Sequence, residues 1–365
     1  TGYDYEFIGE IVEWVTNKIN PAHYTVGLGS RVLEVKKLLD VGCDDGIHML
    51  GIYGVGGVGK STLAREVYNN LIAEHFDASC FIENVREKSE KHVQNILLSK
   101  ILGEKDINLI SMQEGISMIQ SRLQPKKVLL ILDDVASHQQ LKAVVGRPVW
   151  LGPGSIVIIT AQDKQLLASL GVKNPYEVKE LNKNDALQFL KWKAFKTQYF
   201  DPRYEEVLNR AVTYASCLPL ALEIIGSNMF GKSVEEWESS IQQFEKSHDN
   251  PIQVILKASF DSLEEKERSV FLDIACCFKG YELAEVQDIL HAHYGHCIKY
   301  YIDILVGKSL VKLSHGTKPG YDTVTLHDLI AGMGKEINRL ESLTEPGERR
   351  RLSLPEDIRK VLGYK

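Results

Sequence analysis

No apolar run in this 365-residue chain reaches the length of a membrane span, and no secretory leader pattern opens it. The six cysteines, Cys43, Cys80, Cys217, Cys276, Cys277 and Cys297, include no C-x-x-C pair. That excludes the common zinc spacings and a disulfide scaffold, and it suits a reducing, cytoplasmic or nucleocytoplasmic compartment. Cys276 and Cys277 lie in the apolar run Val270–Phe278 and read as small buried thiols. Positive charge is not in excess: 43 Lys and Arg stand against 49 Asp and Glu, a net charge of −6. Phosphate backbones attract clustered positive charge, so nucleic acid is not expected as the main partner. There is no internal repeat and no low-complexity segment. What is present is globular, with 44% hydrophobic and 25% charged residues in a chain long enough for two or three cores. It opens on Thr1 rather than Met, and is expected to be a portion of something longer.

Hydrophobic spacing divides the chain. An amphipathic helix is expected over Phe7–Ile19, ended by Pro21, and a short one over Ser30–Leu39 before the turn-rich Gly42–Gly46. Buried strands then alternate with helices: strand Ile47–Tyr53, helix Ser61–His75, strand Ala78–Val85, helices Val93–Leu102 and Glu114–Leu123, strands Val128–Leu132 and Ile156–Thr160. This alternation predicts a parallel sheet in a doubly wound α/β domain. Four helices follow (Asn184–Phe195, Tyr204–Ser216, Pro219–Phe230 and Val234–Phe244), the last with a capping box at Ser233 and Glu236 and the third stopped by Gly231. From about Pro251, helices fit Ile252–Phe260, Glu264–Phe278, Leu283–Tyr294 and Ile298–Val306. A hairpin (Leu310–Leu313 and Tyr321–Thr325, around Gly316, Pro319 and Gly320) and a helix over Leu326–Leu340 complete a winged-helix pattern. The charged, proline-bearing tail from Thr344 reads as a connector. The expected domains are therefore a linker helix in 1–25, a nucleotide-type α/β domain in 26–180, a helical domain in 181–250, a winged-helix domain in 251–342 and a connector in 343–365.

Gly54-Val55-Gly56-Gly57-Val58-Gly59-Lys60-Ser61 matches G-x-x-x-x-G-K-[ST], with Thr62 continuing into a helix. Glycines let backbone N–H groups turn inward on phosphate oxygens, and the following helix adds its positive end. Lys60 supplies charge for the terminal phosphates, and Ser61 a hydroxyl for Mg²⁺. The preceding apolar strand and the following amphipathic helix make this a P-loop NTPase reading rather than a glycine-rich turn. The run Lys127–Asp134 supports it: an apolar strand ends in carboxylates at the sheet edge where such loops sit. Asp133 is the candidate magnesium ligand, and Asp134 the candidate catalytic carboxylate that positions water.

At these residues the chain resembles a family: the nucleotide-binding (NB-ARC) module of plant intracellular immune receptors with a Toll/interleukin-receptor-type domain in front and leucine-rich repeats behind. The resemblance covers essentially the whole chain, through Gly51–Asn69, Phe76–Glu87, Lys127–Val135, Gly152–Leu167, Cys217–Leu222, Phe271–Phe278 and Leu326–Met333. It implies a P-loop domain, a helical domain and a winged-helix domain closed around ADP at rest. Exchange for ATP would open a resting monomer and drive homo-oligomerisation. By position, Val26, Gly27 and Pro219 would lie near the adenine, and His327 would reach the β-phosphate of ADP with Asp328 in support.

Four positions depart from the family pattern. Gln162, in Thr160-Ala161-Gln162-Asp163, stands where an arginine is read as the γ-phosphate sensor. Glutamine offers neither cation nor fork, and a charged hydrogen bond is worth roughly 1.5–3 kcal/mol. Its loss lowers the preference for ATP about 10- to 100-fold, so an ADP-biased switch is expected. Cys217 replaces the glycine before Leu-Pro-Leu; a left-handed backbone there would make its Cβ a penalty of about 1–2 kcal/mol. Ala331-Gly332 replaces a charged pair, Gly332 and Gly334 weakening their helix by roughly 1 kcal/mol each, and Ala136 stands where the subclass carries Asp.

Besides the switch, two readings stay open: a slow turnover ATPase, and a silent scaffold that keeps nucleotide for structure. The helix that a DNA-binding winged helix would insert, Ile298–Val306, carries Lys299 but also Asp303 between apolar faces, which favours packing against other domains.

Overall fold

The computed structural model describes residues 26–40, 46–72, 76–103, 107, 109–144, 150–173, 175–196, 201–247, 249–314 and 322–363. The expected helix over Phe7–Ile19 and the hairpin tip with Gly316, Pro319, Gly320 and Tyr321 lie outside them. The chain falls into two units, one ending at Lys179 and one beginning at Glu180.

The first unit runs α1 (Leu28–Asp40), β1 (His48–Tyr53), α2 (Lys60–Leu71), β2 (Ala78–Ile82), α3 (Glu90–Leu102), α4 (Met112–Leu123), β3 (Val128–Val135), α5 (His138–Val144), β4 (Ile156–Ala161), α6 (Lys164–Ser169) and β5 (Tyr176–Glu177). The five strands form a parallel sheet in the order β2-β3-β4-β1-β5. All eight residues of β3 are buried, as a central strand covered on both faces requires. Cys80, Ile82, Leu130, Leu132, Val157 and Ile159 pack with Val93, Leu97, Ile119 and Leu123 of α3 and α4. On the other side, α2 packs against β3 and β4 and buries Leu63, Ala64 and Val67. Two expectations are corrected. β2 stops at Ile82 and gives way to a 3₁₀ turn at Val85–Glu87, while β3 continues past Leu132 through both aspartates, with a register shift between Leu132 and Val135.

The second unit contains α7 (Lys183–Phe195), α8 (Glu205–Tyr214), α9 (Pro219–Met229), α10 (Val234–Glu245), α11 (Pro251–Asp261), α12 (Glu265–Asp273), α13 (Leu283–Tyr294), α14 (Ile298–Gly307), the antiparallel pair β6 (Lys312–Ser314) and β7 (Thr323–Thr325), α15 (Asp328–Leu340) and α16 (Pro355–Leu362). One apolar core runs from Leu181 to Ala331, so the helical and winged-helix stretches share their packing. The capping box at Ser233 and Glu236 closes with bonds of 2.8 and 3.3 Å. The helix expected over Glu264–Phe278 is α only to Asp273, and Ile274–Phe278 is a π turn packed on α15. Cys276 and Cys277 sit on that turn, half-buried and exposed respectively, rather than in the core. α14 buries Ile298, Tyr301, Ile302 and Leu305 and packs on α12 and α13 of its own unit. The expected connector is partly folded, with Arg351 buried and α16 near the chain's end.

Three backbone positions yield predictions. Ser216 and Cys217 are both left-handed, at φ 49° and 55°, after α8. Cys217→Gly removes the Cβ penalty and is expected to stabilise the second unit by about 1 kcal/mol; a urea midpoint unchanged or lowered would contradict this. On α15, a Cβ added at Gly332 meets nothing within 4 Å, whereas one at Gly334 would lie 2.7 Å from the Ala275 Cβ. Gly332→Ala should therefore raise stability by about 1 kcal/mol and Gly334→Ala should lower it. Equal midpoints for the two variants would show that α15 does not need the close approach.

Candidate functional site

The carboxyl edge of the parallel sheet gathers the candidate residues of the first unit. After β1 the loop turns through Gly54, Gly57 and Gly59 at φ 151°, 82° and 100°. A Cβ at Gly54 would approach the Val178 carbonyl oxygen to 2.6 Å, so both space and backbone demand glycine there. Val58 is fully buried and anchors the loop, while Val55 is exposed and Gly56 half-buried. Helix α2 starts at Lys60 with Gly59 as its cap residue, which offers no capping side chain. Amides at the start of such a helix, with its dipole, favour an anion. Lys60 is buried, and its Nζ donates to the loop carbonyls of Gly54 (2.9 Å) and Val55 (3.0 Å). The ammonium thus braces the loop that carries it. Ser61 and Thr62 are exposed on the first turn.

On β3, Asp133 is buried and its Oδ1 accepts from the Thr160 hydroxyl at 2.6 Å. Burial pushes its pKa up, against hydrogen bonds from Thr160 and Ser61 and the charge of Arg65, with Glu83 adding to the rise. A divalent cation would favour the ionised form. Ser61 and Asp133 are hard oxygen donors at the same sheet edge, which fits Mg²⁺, an ion commonly held by one or two carboxylates together with phosphates. Bound there, it would neutralise phosphate charge.

Asp134 takes a left-handed backbone, φ 55°, where its N–H donates to the Thr160 hydroxyl oxygen at 2.8 Å. Thr160 thus bridges both aspartates. Both carboxylate oxygens of Asp134 lie 2.9 Å from the Arg86 guanidinium, one from Nη2 and one from Nε. Arg86 had no place in the sequence reading. It lies in the Phe76–Glu87 block, yet its partner is 48 residues away, a pairing that only the neighbouring positions of β2 and β3 create. Gln140 pins the Arg86 turn, its Nε2 donating to the carbonyls of Val85 (2.8 Å), Arg86 (3.2 Å) and Lys88 (3.3 Å). Gln162 follows β4 and is exposed. Val26 and Gly27 form the turn before α1, with Gly27 at φ 69°.

Pro219 and His327 belong to the second unit. Pro219 occupies the first turn of α9, where its missing N–H is no loss. His327 caps α15: its Nδ1 accepts from the Leu329 N–H at 3.2 Å. In the neutral ring the proton is therefore on Nε2. Asp328 accepts from Lys279 Nζ at 2.6 Å.

The family model for the NB-ARC domain matches residues 30–199, and that for the winged-helix domain of Roq1-like disease resistance proteins matches 264–342. The chain belongs to the NB-ARC family of plant disease resistance proteins. TMV resistance protein N of Nicotiana glutinosa is 35% identical over 99% of this chain and 32% of its own length. Disease resistance protein RUN1 of Vitis rotundifolia is 37% identical over all of this chain and 28% of its own. This NB-ARC chain thus spans about a third of the length of those relatives. A crystal structure of a Signal Transduction ATPase with Numerous Domains from Pyrococcus horikoshii, with a tetratricopeptide repeat sensor, shares the fold. It is 15% identical, with a TM-score of 0.50 over 88% of this chain and 44% of that one. Among the described residues, no helix of this module is long and apolar enough to cross a membrane.

Proposed function

We propose that this NB-ARC module is the nucleotide switch of a plant immune receptor, holding ADP in a closed resting monomer and opening to a homo-oligomer when ATP replaces it. The observation that carries the reading is the pairing of a buried Lys60 and left-handed Gly54, Gly57 and Gly59 with a buried Asp133 held by the Thr160 hydroxyl at the same sheet edge. The loop's amides, from Val55 to Thr62, and Lys60 hold the phosphates, and Ser61 and Asp133 hold Mg²⁺. Val26, Gly27 and Pro219 flank the adenine. His327 donates from Nε2 to the β-phosphate, the tautomer that its capping bond selects. A latch made only in the closed state biases closure. Gln162 offers no arginine fork, so the switch favours ADP. Toll-type and repeat domains flank the module in the full receptor, which acts in the cytoplasm.

Mass spectrometry of nucleotide released from the purified chain tests this. ADP at near one equivalent is expected, falling at least about tenfold in Lys60→Ala, since two or more charged phosphate contacts are lost. Absence of nucleotide from the wild-type chain, or no change with Lys60→Ala, would overturn the switch reading. Sustained turnover well above one ATP per second would support an ordinary ATPase.

A further inference from the structure

The Arg86–Asp134 pair has no role in the proposed switch, although it lies on the sheet edge that bears the magnesium candidates. The pair is built: Asp134 Oδ1 accepts from Arg86 Nη2 at 2.9 Å, Oδ2 makes an ion-pair contact of 2.9 Å with Nε, and Gln140 fixes the turn from which Arg86 projects. It is also accessible, the Arg86 side chain being 36% exposed against 12% for Asp134. A partly exposed ion pair is weakly held, and an anion of higher charge beside it competes well for a guanidinium fork. Where a sensor arginine is expected, this chain has only the exposed, uncharged Gln162. Arg86 is a guanidinium beside the paired aspartates, on the opposite side of β3 from the strand that leads to Gln162.

On the nucleotide-binding reading above, we propose that Arg86 reads the third phosphate: it exchanges Asp134 for the γ-phosphate of ATP and returns to Asp134 when ADP is bound. The guanidinium then supplies part of the discrimination that Gln162 cannot. Its departure releases the Asp134 carboxylate, which ties the nucleotide state to the position of the candidate catalytic group. Arg86 is thus a specificity-determining residue, and Asp134 its resting counter-ion.

Competition of Mg²⁺-ADP and Mg²⁺ with a β,γ-imido analogue of ATP against fluorescent ADP, on the purified chain, tests the assignment without relying on turnover. Arg86→Gln is expected to weaken the ATP analogue about tenfold while leaving ADP within twofold. Adding Gln162→Arg should restore the analogue. Asp134→Asn, which frees the fork, should strengthen the analogue relative to ADP. A pair that merely holds the fold would weaken both nucleotides alike in either variant, and that outcome overturns the assignment. So does an unchanged ratio in Arg86→Gln while Lys60→Ala abolishes binding. Loss of neither nucleotide in Lys60→Ala would instead remove the nucleotide-binding reading itself.

Discussion

Replacing Arg351 by methionine is expected to destabilise the second unit by about 3–5 kcal/mol, because it leaves a largely buried carboxylate without its cation. The Arg351 side chain is only 7% exposed and that of Asp273 17%. The guanidinium donates to Asp273 Oδ1 and to both the carbonyl (3.0 Å) and the hydroxyl (2.8 Å) of Ser269. Tyr294 donates to the other Asp273 oxygen and lies 2.7 Å from the Ser269 hydroxyl. The backbone is drawn in as well, Asn338 Nδ2 donating to the Arg351 carbonyl at 2.8 Å. One side chain thus straps the stretch after α15 onto α12. At roughly 2–4 °C per kcal/mol for a unit of this size, thermal unfolding followed by Trp192 and Trp237 fluorescence should fall by about 10 °C. Because an apolar replacement of a whole buried pair is often neutral, adding Asp273→Leu should recover most of the loss. A fall of under 2 °C in the single variant, or a further fall in the double one, would contradict a desolvated ion pair.

The strap marks the limit of what the sequence makes legible. Arg351 lies in a stretch whose charge and prolines argue for a connector, and its value depends on Asp273, 78 residues earlier. Arg86 and Asp134 are hidden for the same reason, since long-range pairs of common residues leave no periodic signal. Local chemistry fares differently. Strands β3 and β4 announce themselves as short, apolar, β-branched runs because they are buried on both faces. Leu283–Tyr294 falls within its predicted bounds. The capping box of α10 follows from residue type and spacing alone, whereas the left-handed backbone at Cys217 is legible only through the glycine that the resembled family carries there. The π turn at Ile274–Phe278 escapes because its residues are as apolar as those of a continuing α-helix. In the candidate site, the loop Gly54–Ser61 is readable because phosphate chemistry needs consecutive residues. The bond that makes His327 a cap, and so sets its tautomer, needed the coordinates.

Glu223→Gln should cost about 3 kcal/mol at neutral pH, and the loss should shrink in acid. Glu223 projects from α9 between Lys193 of α7 at 2.7 Å and Lys312 of β6 at 2.8 Å, with its side chain 13% exposed. Burial pushes its carboxyl up, but Lys312 and Lys193 together outweigh burial and hold the pKa at about 2, against 4.5 for the free side chain. A folded pKa below the unfolded one gives stability that is fully present above about pH 4.5 and is lost as pH falls toward 2. A difference of about 2.5 units corresponds to about 3 kcal/mol, of which about 2 should be gone by pH 3. Urea unfolding of wild type and variant at pH 7 and pH 3 checks this, since titrations common to both cancel in the difference. The lysines should not be equal: Lys193 is 18% exposed and Lys312 52%, so Lys312→Met should cost under about 1 kcal/mol and Lys193→Met about 2–3. A pH-independent gap between wild type and Glu223→Gln would show that packing, not charge, holds this position. The pair joins the helical stretch to the wing strand, alongside a 2.6 Å bond between the Ser227 and Ser309 hydroxyls. Any motion that parts α9 from β6 must therefore break the half-exposed Glu223–Lys312 contact and the Ser227–Ser309 bond, a modest cost that Glu223→Gln should lower.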